Sequence, residues 1–210
     1  MNIRNSMLSL VAAVLIAVMP VSAGANSGEL YATDNNSIRI YAPDGTARVF
    51  ASGLLRPRGL AFDGYGDLFV ATLDTATRFD DLGQILKFAP DGTVTVFATG
   101  LDSPSGLAFD EAGNLYVTRG HIRSGSGRVT KITPDGTVST FAVLNGNFNT
   151  NVHQNLGIAI DKENNVFVSD NQQDAIFMKT SDSQYNPPPA IGTFATLPAP
   201  IGLAFDAAGN

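Results

Sequence analysis

The sequence predicts an all-β protein, a β-propeller of four-stranded antiparallel blades with about four blades present. Three observations predict it. The first is recurrence: PSGLAFDEAGNLYVT, from Pro104 to Thr118, returns as PRGLAFDGYGDLFVA from Pro57, as NLGIAIDKENNVFVS from Asn155 and as PIGLAFDAAGN from Pro200. The glycines Gly59, Gly106, Gly157 and Gly202 are spaced by 47, 51 and 45 residues, close to the roughly 40–50 of propeller blades. The second is the alternation of large and small residues in GLAFD, the period of a strand packed on both faces. The third is a Pro-Asp-Gly turn signal at the same place in three of the repeats.

The chain opens with Arg4, an apolar stretch from Leu8 to Val18, then Pro20 and the small residues Val21, Ser22 and Ala23. That is the pattern of a secretory signal peptide over residues 1–23. Cleavage near Ala23 is expected, with a secreted or periplasmic mature protein. The apolar run is well short of the roughly 20 residues of a membrane span, and no later stretch is longer, so no membrane span is expected.

Residues 27–210 are read as the propeller, with blade boundaries near residues 54, 101, 152 and 198. The mature chain starts on a second strand, LYATD from Leu30. A third strand follows as SIRIYA, and its counterparts are QILKFA, RVTKIT and AIFMKT. Pro43-Asp44-Gly45, Pro90-Asp91-Gly92 and Pro134-Asp135-Gly136 close hairpins, because proline presets the first turn dihedral, aspartate caps the turn and glycine takes the positive φ. The outer strands are ARVFAS, VTVFAT, VSTFAV and IGTFAT. In the fourth repeat a longer loop from Thr180 to Ala190, carrying Pro187, Pro188 and Pro189, replaces the Pro-Asp-Gly turn.

Each inner strand ends on an aspartate, Asp63, Asp110, Asp161 or Asp206. Three residues later comes Gly66, Gly113, Asn164 or Gly209, types that accept a left-handed backbone. These aspartates are read as turn caps rather than metal ligands. Phe62, Phe109, Ile160 and Phe205 are expected to be core residues between blades.

Composition narrows the function classes. The chain has no cysteine, so packing alone must stabilise it. Loss of Arg4 with the leader takes the formal charge from −6 to −7, and the acidic residues are scattered. Nucleic acid is therefore an unsuitable partner, since binding it needs a basic patch.

The PxGLAFDxxGNLYV unit resembles the NHL repeat, from about Leu30 to the end of the chain. The wider set of similar propellers includes gluconolactonase-like and streptogramin-lyase-like proteins, and the resemblance implies a propeller, usually of six blades. Two closures remain open at this point. Three strands, three complete sets of four and one final inner strand make sixteen, and the last could pair with the first to close a four-bladed ring. The other reading, and the one adopted, is that the chain is a fragment of a six-bladed propeller.

Function is expected where second-to-third-strand loops and the leads into inner strands converge, because loops on a rigid scaffold carry sites. These segments differ between repeats. They supply Asp74 in the second, Arg119, His121 and Arg123 in the third, and Asp170 and Asn171 in the fourth, with Arg58, His153 and Asn155 before inner strands. Guanidinium groups beside histidine suit a carboxylate or phosphate. The expected partner is a polar or anionic small molecule, a glycan or a protein.

The resemblance implies two enzyme types. Lactonases of the gluconolactonase kind hold calcium with Asn and Asp, some directly before an inner-strand glycine. Arg58, Ser105, Leu156 and Ile201 occupy those positions here, and none is an Asn or Asp. Streptogramin-lyase-like enzymes use a histidine base near a divalent metal, and His121 and His153 are the only histidines in the chain. The reading adopted from sequence is a ligand- or protein-binding module. The alternative is a metal-dependent hydrolase or lyase, with a divalent cation as its cofactor.

Overall fold

The computed structural model describes residues 17–18, 28–73, 82–119, 127–144, 157–171, 173–180 and 191–205. Four four-stranded antiparallel sheets are its whole regular structure among these residues. Blade 1 contains β1 (Ala17–Val18), β2 (Leu30–Thr33), β3 (Ser37–Tyr41) and β4 (Ala47–Ser52), in the order β1-β4-β3-β2. Blade 2 runs in sequence order through β5 (Leu60–Phe62), β6 (Leu68–Leu73), β7 (Leu82–Phe88) and β8 (Val94–Asp102). Blade 3 is β9 (Pro104–Phe109), β10 (Leu115–Arg119), β11 (Gly127–Ile132) and β12 (Val138–Leu144). Blade 4 is β13 (Ile158–Ile160), β14 (Val166–Asp170), β15 (Ala175–Lys179) and β16 (Gly192–Thr196). This is a propeller built as the repeats predict. No described helix is long and apolar enough to cross a membrane.

Register makes the repeats equivalent. Leu60 pairs with Val70, Leu107 with Val117 and Ile158 with Val168, so Gly59, Gly106 and Gly157 precede matching positions on successive inner strands. Gly202 precedes Leu203 in the same way, but residues 201–205 form no strand. The sixteen strands thus differ from the sixteen counted in sequence. Ala17–Val18, inside the segment read as a leader, pairs along β4, and among the described residues β3 is the one strand paired with β2.

Two of the inner-strand glycines, Gly59 and Gly157, are required by close approach to the next repeat. A Cβ on Gly59 would stand 2.1 Å from the Ser105 carbonyl oxygen, and one on Gly157 would stand 2.1 Å from that of Ile201. At both places the carbonyl before the next glycine accepts a hydrogen bond from the preceding blade. Gly59 N donates to Ser105 O at 3.0 Å, and the Ser169 hydroxyl donates to Ile201 O at 2.7 Å. The Thr33 hydroxyl does the same to Arg58 O at 2.9 Å. Three such carbonyls, at Arg58, Ser105 and Ile201, therefore tie a repeat to the one before it near the inner strands.

A second repeated device was not visible in the strand pattern. Each third-to-fourth-strand pair slips by one residue at Phe50, Phe97, Phe141 or Phe194, and β7–β8 slips a second time between Gly83 and Ile85. A bulge re-aims the side chain of its extra residue. Each of these rings meets edge to face the aromatic of the second strand, Tyr31, Phe69, Tyr116 or Phe167, at 4.9–5.5 Å between centroids. The other side of that aromatic takes the inner-strand ring of the next repeat: Tyr31 with Phe62, Phe69 with Phe109, Phe167 with Phe205. Ile160 packs in the cluster of Tyr116.

This corrects the expectation for Phe62, Phe109, Ile160 and Phe205. They do lie between blades, but Phe62 is 44% exposed and the other three are half-buried. They sit at the rim where the inner hairpins turn, and burial is complete one layer deeper, at Leu68, Val70, Leu115, Val117, Val166 and Val168.

The blades have two ends. At the turn end, Asp63, Asp110 and Asp161 accept from the backbone N–H four residues on at 2.7–2.9 Å, as the turn-cap reading expects. Gly45, Gly92 and Gly136 take φ of 83°, 88° and 85° in the Pro-Asp-Gly turns. The opposite end, where second strands finish, is the loop end.

Candidate functional site

Four residues occupy equivalent positions where the second strands reach the loop end: Asp34, Thr72, Arg119 and Asp170. Their differences are chemical. Asp34 is consumed by its own turn, accepting from Asn36 N, Ser37 N, the Ser37 hydroxyl and Arg39 Nε at 2.7–3.1 Å. The Ser37 hydroxyl bond, followed by those from Asn36 and Arg39, holds its carboxyl far below the usual range. Asp170 is fully buried and accepts from Gln173 N at 3.1 Å and Gln173 Nε2 at 2.9 Å. The oxygen of its neighbour Asn171 is buried without a partner.

Arg119 is a different case. Its side chain is 12% exposed, and Nη1 lies 4.0 Å from the Asp102 carboxylate, beyond hydrogen-bond length. Nε is buried without a partner. Burial pushes the guanidinium below its ordinary pKa, and Asp102 opposes that while Arg128 reinforces it. Arg128 is directly opposite Arg119 on β11, and its Nε is likewise buried and unpartnered.

Arg58 reaches the same corner from blade 2. Its Nη1 donates to Ser103 Oγ at 3.2 Å, and Ser103 is buried next to Asp102. The backbone there is held in an uncommon state: Arg56, Ser103 and Ala199 each precede the proline of an inner-strand lead and have φ of 47°, 44° and 46°. A non-glycine residue in that region costs roughly 1–2 kcal/mol. Its repetition before Pro57, Pro104 and Pro200 makes it part of the scaffold that leads each repeat inward.

Of the residues picked out from sequence, Arg58 and Arg119 therefore meet around Asp102 and Ser103, while Asp170 and Asn171 stand at the matching place on blade 4. Asp74, His121, Arg123, His153 and Asn155 lie outside the described residues. Sequence reasoning missed Arg128, Asp102 and Ser103. Arg128 was readable in principle, because the β10–β11 hairpin register places it opposite Arg119.

The residues described do not fit the calcium site that the resemblance implies. The carbonyls before the inner-strand glycines at Arg58, Ser105 and Ile201 already accept inter-blade hydrogen bonds. No group of three His, Cys, Asp or Glu among the described residues is placed to hold a metal ion.

Neither a protein-family model nor a curated protein matches this chain. Solved structures do. Virginiamycin B lyase from Staphylococcus aureus is similar with a TM-score of 0.61 and 16% identity, over 92% of this chain and 60% of that one. A gluconolactonase from Xanthomonas campestris is similar with a TM-score of 0.66 and 19% identity, over 86% of this chain and 64% of that one. An auxiliary nutrient binding protein from Bacteroides ovatus is similar with a TM-score of 0.62 and 12% identity, over 88% and 42%. These likenesses show the propeller fold. The chain spans about three fifths of the length of the lyase.

Proposed function

We propose that the loop end recognises a polar or anionic small molecule, and that the full protein is a hydrolase or lyase of the gluconolactonase-like or streptogramin-lyase-like kind. The observation that carries this is the convergence of Arg58 and Arg119, from two blades, on the Asp102–Ser103 corner. Guanidinium groups at such a corner serve an ester, lactone or carboxylate substrate by stabilising negative charge as it develops on oxygen. The likeness to a lyase and a gluconolactonase supports this reading over pure binding. His121 or His153 would act as the proton acceptor, since imidazole titrates near neutrality. The leader pattern of residues 1–23 supports a secreted or periplasmic location for this activity.

Binding without turnover is the second reading. It is favoured by Asp34 and Asp170, whose carboxylates serve their own turns instead of facing a substrate, and by the likeness to a nutrient binding protein.

A panel of lactones and esters, assayed with and without added divalent cation on the mature protein, separates the two. Turnover that falls at least tenfold in His153→Ala or His121→Ala is expected. Saturable binding of a panel member with no turnover under any condition would sink the enzyme reading.

A further inference from the structure

Three polar atoms buried without a partner sit together on one sheet face of blade 3: Arg119 Nε, Arg128 Nε and Thr130 Oγ1. Alternation along the strands explains why. Leu115 and Val117 of β10, and Ile132 of β11, pack in one cluster with Phe69, Ala71, Ile85, Ala98 and Leu101 of blade 2. Arg119 continues the Leu115–Val117 face, and Thr130 and Arg128 continue that of Ile132. The hydrophobic seam between blades 2 and 3 thus ends, toward the loop end, in two guanidiniums and a hydroxyl.

That arrangement is costly as it stands. Like charges directly opposite on neighbouring strands repel, and a largely buried cation needs a counter-charge with hydrogen bonds to it. Asp102, on the blade 2 side, is the one carboxylate paired with either arginine among the described residues, and it stands 4.0 Å away with its side chain 41% exposed. Two cations against one loosely held anion leave room for one more negative group. Water could satisfy the hydrogen bonds but not the charge.

We propose that Arg119 and Arg128, with Thr130 beneath them, form an oxyanion subsite at the top of the seam between blades 2 and 3. It would receive one carboxylate or phosphoryl group of a substrate. Two guanidiniums side by side present parallel N–H donors, the geometry that matches the oxygens of either group. This rests on the reading of the loop end as the working face, and it narrows the substrate to one carrying an anionic group. The Thr130 hydroxyl would donate to the same oxygens.

The test is thermal unfolding of the full chain in potassium phosphate, in sodium malonate and in sodium chloride at matched ionic strength, which cancels general screening. A saturable rise in Tm with phosphate, malonate or both, absent with chloride, is expected. The stronger of the two arms names the group as phosphoryl or carboxyl. Arg119→Gln and Arg128→Gln should each weaken that binding about tenfold or more, with Arg128→Lys retaining part of it. Their unfolding in chloride alone checks that they fold.

Asp102→Asn should keep or tighten oxyanion binding by removing a competitor for Arg119. No oxyanion-specific shift in the parent chain, or an undiminished shift in both glutamine variants, would overturn the subsite. Oxyanion binding with no turnover of any lactone or ester retires the enzyme reading and leaves the subsite standing. Turnover indifferent to substrate charge, with no oxyanion shift, does the reverse.

Discussion

The turn end and the loop end of the same blades obey different rules. At the turn end, one solution recurs: Asp63, Asp110 and Asp161 cap their hairpins identically, and Gly66, Gly113 and Asn164 take the left-handed backbone with φ of 85°, 79° and 62°. At the loop end, the equivalent positions hold two aspartates, Asp34 and Asp170, a threonine, Thr72, and an arginine, Arg119. Polar atoms of Thr72, Arg119, Arg128 and Asn171 are buried there without partners. The aspartate caps of the turn end close their hydrogen bonds within each blade and so can be copied, and Asn164 Oδ1 is the one polar atom buried there without a partner among the described residues. The loop end leaves polar demands that an outside group can meet, which is how a repeated scaffold acquires a site.

The contrast is broken most directly through the aromatic ladder. Phe69 is 3% exposed and is gripped by Phe97 at 5.0 Å and by Phe109 of the next blade at 4.9 Å. Phe69→Ala should destabilise by about 3–5 kcal/mol, the range for emptying an aromatic core site. Denaturant unfolding measures it. A loss under about 1 kcal/mol would mean that the ladder rings rest on the blades without holding them together.

A smaller effect is expected from pH. The carboxyls of Asp44, Asp91 and Asp135 sit below their ordinary range. Hydrogen bonds from Thr46, from Thr93 and from Thr133 with Thr137 are the causes. A depressed folded pKa means that the unfolded state binds protons first as the solution is acidified. These turns therefore stabilise the protein fully above the unfolded aspartate value of about 4, and the contribution is lost as pH falls from there toward the folded values. Asp34 adds to the same slope from the loop end, through the Ser37 hydroxyl, Asn36 and Arg39. Thermal unfolding between pH 7 and pH 2 should show a fall in Tm that is shallower in Asp91→Asn. An identical slope in that variant would separate the turn caps from acid stability.

The sequence announced the features that repeat and stayed silent where repetition stops. The GLAFD unit and the Pro-Asp-Gly turns carry blade order, register and caps, because each residue type there answers a local backbone demand. The bulges at Phe50, Phe97, Phe141 and Phe194 were missed because the Phe-Ala motif reads as ordinary alternation. Only the paired strand shows the extra residue. Arg58 and Arg119 were found as unlike residues in comparable segments. Arg128 was missed because it lies inside RVTKIT, where its strand role masked its position opposite Arg119. The left-handed residues before Pro57, Pro104 and Pro200 leave no mark in residue type, since Arg, Ser and Ala are all poor predictors of positive φ.

The smallest change in stability, and the one that sharpens the contrast most, belongs to Arg119→Met. Methionine keeps an unbranched stem along the seam beside Leu115 and Val117 while removing the buried guanidinium. If the loop end carries an unmet charge, folding loses no net interaction. A cation held down by burial and by Arg128 contributes little, and its replacement by an apolar side chain of similar reach is neutral or favourable. Stability should stay within about 0.5 kcal/mol of the parent or rise above it, in the range of substitutions that break no closed network. Loss of about 2 kcal/mol or more would show instead that Arg119 is a structural cation whose partner holds blades 2 and 3 together. The two ends of the blade would then follow one rule, with every polar group engaged, and the seam would have no vacancy for a ligand.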